Sequence, residues 1–166
     1  IGTISAFHQA NIDLTKDNPP FDFMKEDQPI FTRPRYLPCA RISGATIKNS
    51  LISDGCVIGR GSVIENSVIG VRAIIGENVT IRNTYLMGAD WYEPAHHAAE
   101  GHPPIGIGTN SVIERAIVDQ NTRIGRDVRI VNEGGIIDSE EMSTHVIRDG
   151  IVVIPKLAVV PNGTII

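Results

Sequence analysis

Across residues 47–86 the aliphatic that closes each short apolar stretch is Ile47, Ile52, Ile58, Ile64, Ile69, Ile75, Ile81 and Leu86, at steps of 5, 6, 6, 5, 6, 6 and 5. Any three successive steps sum to 17. The pattern resumes at Ile107, Ile113, Val118, Ile124 and Ile130, and a last piece runs Val153, Val159, Ile165. An amphipathic helix needs apolar steps of three and four, and a half-buried strand alternates every two. A step near six inside a period of 17 describes a coil with three short sides. Each side is a strand that points one aliphatic inward. The intervening positions hold Asp54-Gly55, Gly59-Arg60-Gly61, Glu65-Asn66, Glu77-Asn78 and Gln120-Asn121. Gly and Asn accept the positive φ of sharp corners. One coil cannot close its own core, so coils must stack in series. Each inward aliphatic then contributes ~1.5–3 kcal/mol through burial. The pattern predicts an all-β fold: parallel strands wound into a triangular solenoid over residues 39–166.

The rest of the chain reads differently. Residues 3–16 place Ile4, Phe7, Ala10 and Leu14 on one helical face, with Thr3 as N-cap. The spacing predicts an amphipathic helix within residues 1–17, ended by Pro19-Pro20. Residues 18–38 add Pro29, Pro34 and Pro38 to that pair, which predicts an extended linker. Two stretches break the repeat, residues 88–105 and 132–149, and are expected as external loops.

Composition sharpens this picture. Hydrophobic residues make up 42% of the chain and aromatics 5%, so β-branched aliphatics fill the core, as in strands. A net charge of −4 argues against a nucleic-acid binder. No apolar run has membrane-spanning length, and no signal peptide opens the sequence. Cys39 and Cys56 lack metal-ligand spacing and are expected as reduced thiols of a cytoplasmic protein. The chain begins Ile1-Gly2-Thr3, which is expected of the tail of a longer protein.

Candidate chemistry is sparse. His96, His97 and His102 share one insertion, but no Cys lies near and converging ligands are not evident, so no metal site is expected. A solvated loop is the simpler reading; a catalytic base is the other. Arg33-Pro34-Arg35 puts two guanidinium groups on a stiff segment, a pair suited to phosphate. Lys156 follows Pro155 in the last coils, and Asp119-Gln120 stands at a corner.

Together the segments resemble glucose-1-phosphate adenylyltransferases. IGTISAFHQANIDL is similar to the end of that family's catalytic domain and FTRPRYLP to its interdomain linker. MGADWYE and PIGIG bracket its first insertion, and AIVDQNTRIG and DGIVVIPKLAVVPNGTII resemble its later coils. The resemblance implies a left-handed β-helix, a hand the spacing does not give and the usual crossover rule disfavours. It implies a parent enzyme that joins ATP and glucose 1-phosphate into ADP-glucose and pyrophosphate with Mg²⁺, for glycogen or starch synthesis, in the cytoplasm or a plastid. The reaction belongs to an N-terminal nucleotide-binding domain. The present chain is therefore expected to be inactive alone and to hold no cofactor. The β-helix would serve regulation and a homo- or hetero-tetramer, with a phosphorylated metabolite as effector. Arg35, with Arg33 beside it, resembles the family's anion-contacting linker arginine, Asp119 an acidic neighbour and Lys156 the effector lysine. Gln120 departs from the Lys or Arg common there. Two other readings stay open: an acyltransferase of the hexapeptide-repeat class, binding coenzyme A, and a scaffold without a ligand. All five histidines lie outside the regular coils, which weighs against the acyltransferase.

Overall fold

The structure, a computed structural model, describes residues 2–21, 23, 26–94 and 101–166. The first coil holds β1 (Arg41–Ile42), β2 (Thr46–Lys48) and β3 (Leu51–Ile52). The second holds β4 (Val57–Ile58), β5 (Val63–Glu65) and β6 (Val68–Ile69), and the third β7 (Ile74–Ile75), β8 (Thr80–Arg82) and β9 (Tyr85–Leu86). The fourth holds β10 (Gly106–Ile107), β11 (Val112–Glu114) and β12 (Ala116–Val118). Then come β13 (Arg123–Ile124), β14 (Arg129–Ile130), β15 (Val146–Arg148), β16 (Ile151–Ile154) and β17 (Val159–Val160). Strands from successive coils lie side by side in three sheets: β1-β4-β7-β10-β13-β17, β2-β5-β8-β11-β14 and β3-β6-β9-β12-β16 with β15 on its edge. Pairing is parallel throughout except between β15 and β16. This is the predicted triangular solenoid.

Register follows the repeat. Ile47 pairs with Ile64 and Ile64 with Ile81, while Ile58 pairs with Ile75 and Ile75 with Ile107. Ile58, Ile64, Ile69, Ile81, Ile113 and Ile130 are wholly buried. Ile47 and Ile52, in the first coil, are only partly buried because no earlier coil covers them. Corner residues Asn66, Asn78 and Asn121 take positive φ, as does Gly55. Small polar residues enter the interior where their hydroxyls close backbone gaps. The Ser62 hydroxyl donates to the Gly76 carbonyl (2.8 Å) and accepts from the Val79 N–H (3.1 Å). Ser111 repeats the arrangement with Gly125 and Val128.

Three expectations need correction. The last piece of the repeat is shifted by one residue: Val153 and Val159 are only half-buried and Ile165 is exposed, whereas Ile154 and Val160 are buried. Val118 pairs with Ile154 and Ile124 with Val160. A slip of one residue exchanges the faces of a strand, and the doublets Val153-Ile154 and Val159-Val160 are apolar at both positions. The second insertion is also not wholly a loop. Its end forms β15, which turns through Asp149-Gly150, both at positive φ, to pair antiparallel with β16. Asp-Gly is a favoured two-residue hairpin turn.

The helix α1 (Ile4–Asp13) is capped by Thr3, whose side chain accepts from the Ala6 N–H. Its buried positions are His8 and Ile12 rather than the expected Ile4, Phe7, Ala10 and Leu14, which are half-buried. The cause is the helix's seat on β9. His8 Nε2 meets the Asn83 carbonyl at 2.7 Å, and the Phe7 and Tyr85 rings lie 5.6 Å apart. Residues 29–40 carry no strand or helix and run mostly exposed to the first coil.

Candidate functional site

One edge of the prism collects the residues that the sequence singles out. The edge is a ladder of backbone hydrogen bonds from coil to coil. Gly55 N–H donates to Pro38, Arg72 to Asp54, Ala89 to Val71, Asn121 to Gly88 and Leu157 to Gln120, at 2.8–3.2 Å. Arg33 and Arg35 stand at its lower end, lining a pocket of about 470 Å³ with Tyr36, Ser53, Asp54 and Val71. Asp119, Gln120 and Lys156 stand higher. Coils stack ~4.8 Å apart, so the two to four rungs between the pocket's Asp54 and Val71 and the upper Gln120 and Lys156 separate the groups by roughly 10–19 Å. The structure thus aligns the five residues on one edge but divides them into two clusters.

The upper cluster is organised around a residue that the sequence reading does not single out. Asp90, at the start of the first insertion, accepts from Lys156 Nζ at 2.9 Å through Oδ2. Asn121 holds it from the other side: its Nδ2 donates to Asp90 Oδ2 (2.9 Å), and its Oδ1 accepts from the Asp90 N–H (2.8 Å). Asn121 can do this because it is wholly buried at a corner with φ +60°. Lys156 Nζ also donates to Gln120 Oε1 at 3.1 Å. The Asp119 carboxylate turns back to accept from the Gln120 N–H at 2.6 Å. Lys156 first, then Asn121, hold the Asp90 carboxyl below the usual carboxylate range. Asp90 escapes a sequence reading because its partners lie 31 and 66 residues away.

Between the clusters, Arg72 donates to the Ala89 carbonyl (3.3 Å) and stacks 6.0 Å above the Tyr92 ring. Tyr92 in turn donates its hydroxyl to the Gly55 carbonyl (2.7 Å). A Cβ at Gly55 would lie 2.3 Å from that hydroxyl, so glycine leaves room for the tyrosine. The insertion is pinned a second time by Arg123. Its guanidinium grips Glu93 through two bonds, of 2.5 and 2.9 Å, and donates to the Pro103 carbonyl at 3.0 Å. Side-chain exposures of 19% and 10% make this a largely desolvated pair. Both ends of the insertion are therefore fastened to the same sheet.

The histidine candidates fare unevenly. His96 and His97 lie outside the described residues. His102 is exposed and borders a groove of about 1020 Å³ with Thr109, Arg126, Ser143 and Asn162. Among the described residues no group of three His, Cys, Asp or Glu side chains is placed to hold a metal ion. Cys39 and Cys56 are both free thiols; Cys56 is buried, donates to the Gly70 carbonyl, and burial pushes its thiol pKa up. No helix among the described residues is long and apolar enough to cross a membrane.

A profile of the GLGC left-handed parallel beta-helix domain matches residues 35–165. The chain belongs to this family. The match spans every strand of the solenoid and fixes the hand of its winding as left. Within the GLGC β-helix family, the first coil's linker side and the corner ladder just described both fall inside or at the border of the matched segment, so Arg35, Asp119, Gln120 and Lys156 are family-domain positions while Arg33 lies just before it.

Proposed function

We propose that this chain is the regulatory and assembly portion of a glucose-1-phosphate adenylyltransferase, a cytoplasmic or plastid nucleotidyltransferase that makes ADP-glucose for glycogen or starch. The observation that carries the reading is the family match over residues 35–165. The corner ladder supports it, because it sets cationic side chains along one face: Arg33 and Arg35 below, Arg72 between, Lys156 above. A phosphorylated metabolite is the ligand class such a face suits, since phosphate takes charge-assisted bonds from both guanidinium and ammonium groups. Inorganic phosphate spans one cluster only. A metabolite with two separated phosphates reaches further along the edge. Mg²⁺ and the transfer chemistry belong, in this reading, to the family's catalytic domain. The chain's partners are that domain and further subunits of a tetramer.

A thermal-shift panel with inorganic phosphate, fructose phosphates, 3-phosphoglycerate and coenzyme A tests the reading. A ligand that binds only the folded form at a hundred times its Kd adds about 2.7 kcal/mol, a readily visible shift. Stabilisation by the phosphorylated metabolites, lost in Lys156→Gln or Arg35→Ala, is expected. Stabilisation by coenzyme A alone overturns the reading, and ADP-glucose synthesis by the purified chain refutes its catalytic half.

A further inference from the structure

We propose that Asp90 is a built-in competitor for the anion seat on Lys156: its carboxylate occupies the ammonium when no ligand is bound, and an incoming phosphate must displace it. The inference rests on the reading of Lys156 as an effector lysine. Three observations carry it. Lys156 is not free to receive an anion, because its two acceptors, Asp90 Oδ2 and Gln120 Oε1, lie at 2.9 and 3.1 Å. Asp90 is held in place independently of Lys156 by both ends of the buried Asn121 amide, so the carboxylate is aimed at the ammonium by the fold. The pair is nevertheless exposed, at 47% and 42% of the side chains, where an ion pair is weak and a better anion replaces it.

The surrounding charges favour the same conclusion. Gln120 brings no charge, and Asp119 adds a second carboxylate one residue away, engaged with the turn backbone. With Asp90 in place the upper cluster is not electropositive, and it becomes a phosphate site when Asp90 leaves. Departure of Asp90 also has a mechanical result. It lies two residues before Tyr92, whose hydroxyl rests on Gly55 beside the Arg33–Arg35 pocket. Exchange of a carboxylate for a phosphate at the upper cluster thereby reaches the lower one through the first turn of the insertion.

Trp91, the single tryptophan of the chain, sits next to Asp90 and is half exposed, so it reports the exchange. The test is a titration of the 166-residue chain with inorganic phosphate. Trp91 emission and calorimetry are followed in the wild type, Asp90→Asn, Lys156→Gln and the double variant. Asparagine keeps the hydrogen bonds to Asn121 and removes the competing charge. Phosphate is expected to bind Asp90→Asn about two- to fivefold more tightly than the wild type, the value of an exposed ion pair expressed as a ratio. The gain is expected to vanish in both variants that lack Lys156, and the emission change on binding to be smaller in Asp90→Asn than in the wild type. Equal or weaker binding by Asp90→Asn, with the wild type binding, overturns the competitor while leaving the effector reading intact. A gain that survives loss of Lys156 overturns it by placing the anion elsewhere. Absence of phosphate binding in every variant overturns both. Should Asp90→Asn fail to fold, Asp90→Ser carries the same expectation.

Discussion

At the scale of single residues, the chemistry lies in partners that a linear reading cannot pair. His8 is buried on the helix, and its Nε2 lies 2.7 Å from a backbone carbonyl that can only accept. The ring is therefore the Nε2–H tautomer. Desolvation holds its pKa below the ordinary 6.5, outweighing the opposing hydrogen bond to Asn83, and Arg115 lowers it further. A histidine whose folded pKa is depressed binds its proton more readily unfolded, so its contribution to stability is present above about pH 6.5 and is lost as pH falls below that. Urea denaturation is expected to give a wild type less stable at pH 5.5 than at pH 7.5, with a smaller difference in His8→Gln. Gln120 bears on function. Replacement by Lys adds an ammonium beside Lys156 and a charge-assisted bond to a bound anion, a gain on the order of 1.5–3 kcal/mol. Phosphate affinity measured by calorimetry is expected to rise in Gln120→Lys; an unchanged Kd removes Gln120 from the site.

At the scale of elements, much of the solenoid could be read from the chain because its signal is redundant. Ile58, Ile64 and Ile69 each repeat the same statement, and each is buried. The same redundancy fails at Val153-Ile154 and Val159-Val160, where two adjacent aliphatics leave the inward residue unspecified. The site was less legible. The Arg33-Pro34-Arg35 pair could be read as phosphate-suited from the sequence itself and Lys156 took its role from a resemblance, whereas Asp90 and Glu93 act through contacts 30 to 66 residues distant. Those contacts matter for the first insertion as a unit. Arg123 binds Glu93 near its start and Pro103 near its end. Loss of one partner from a desolvated pair leaves the other charge buried, at a cost of about 3–5 kcal/mol. Arg123→Ala is expected near the low end of that range by urea denaturation, since some solvent reaches the guanidinium. A variant within experimental error of the wild type makes the clamp unnecessary.

At the scale of the whole molecule, every coil repeats its neighbour's register, so side chains on the outer faces stack into columns. On the β2-β5-β8-β11 face, Lys48 pairs in register with Glu65, Glu65 with Arg82, and Arg82 with Glu114. Arg82 bridges both glutamates at 2.9 and 2.8 Å. The signs alternate down the column, and this gives the fold a parity. Excision of the single coil that carries Glu65 would set Lys48 against Arg82, a like-charged neighbour that destabilises by about 0.2–1 kcal/mol beyond the lost coil. Lys48→Glu in the shortened chain is expected to recover that increment in urea denaturation, and added salt to mask it. Excision of the Glu65 and Arg82 coils together restores the alternation, with Lys48 facing Glu114. Growth or loss of this solenoid is thus easier in even steps than in odd ones.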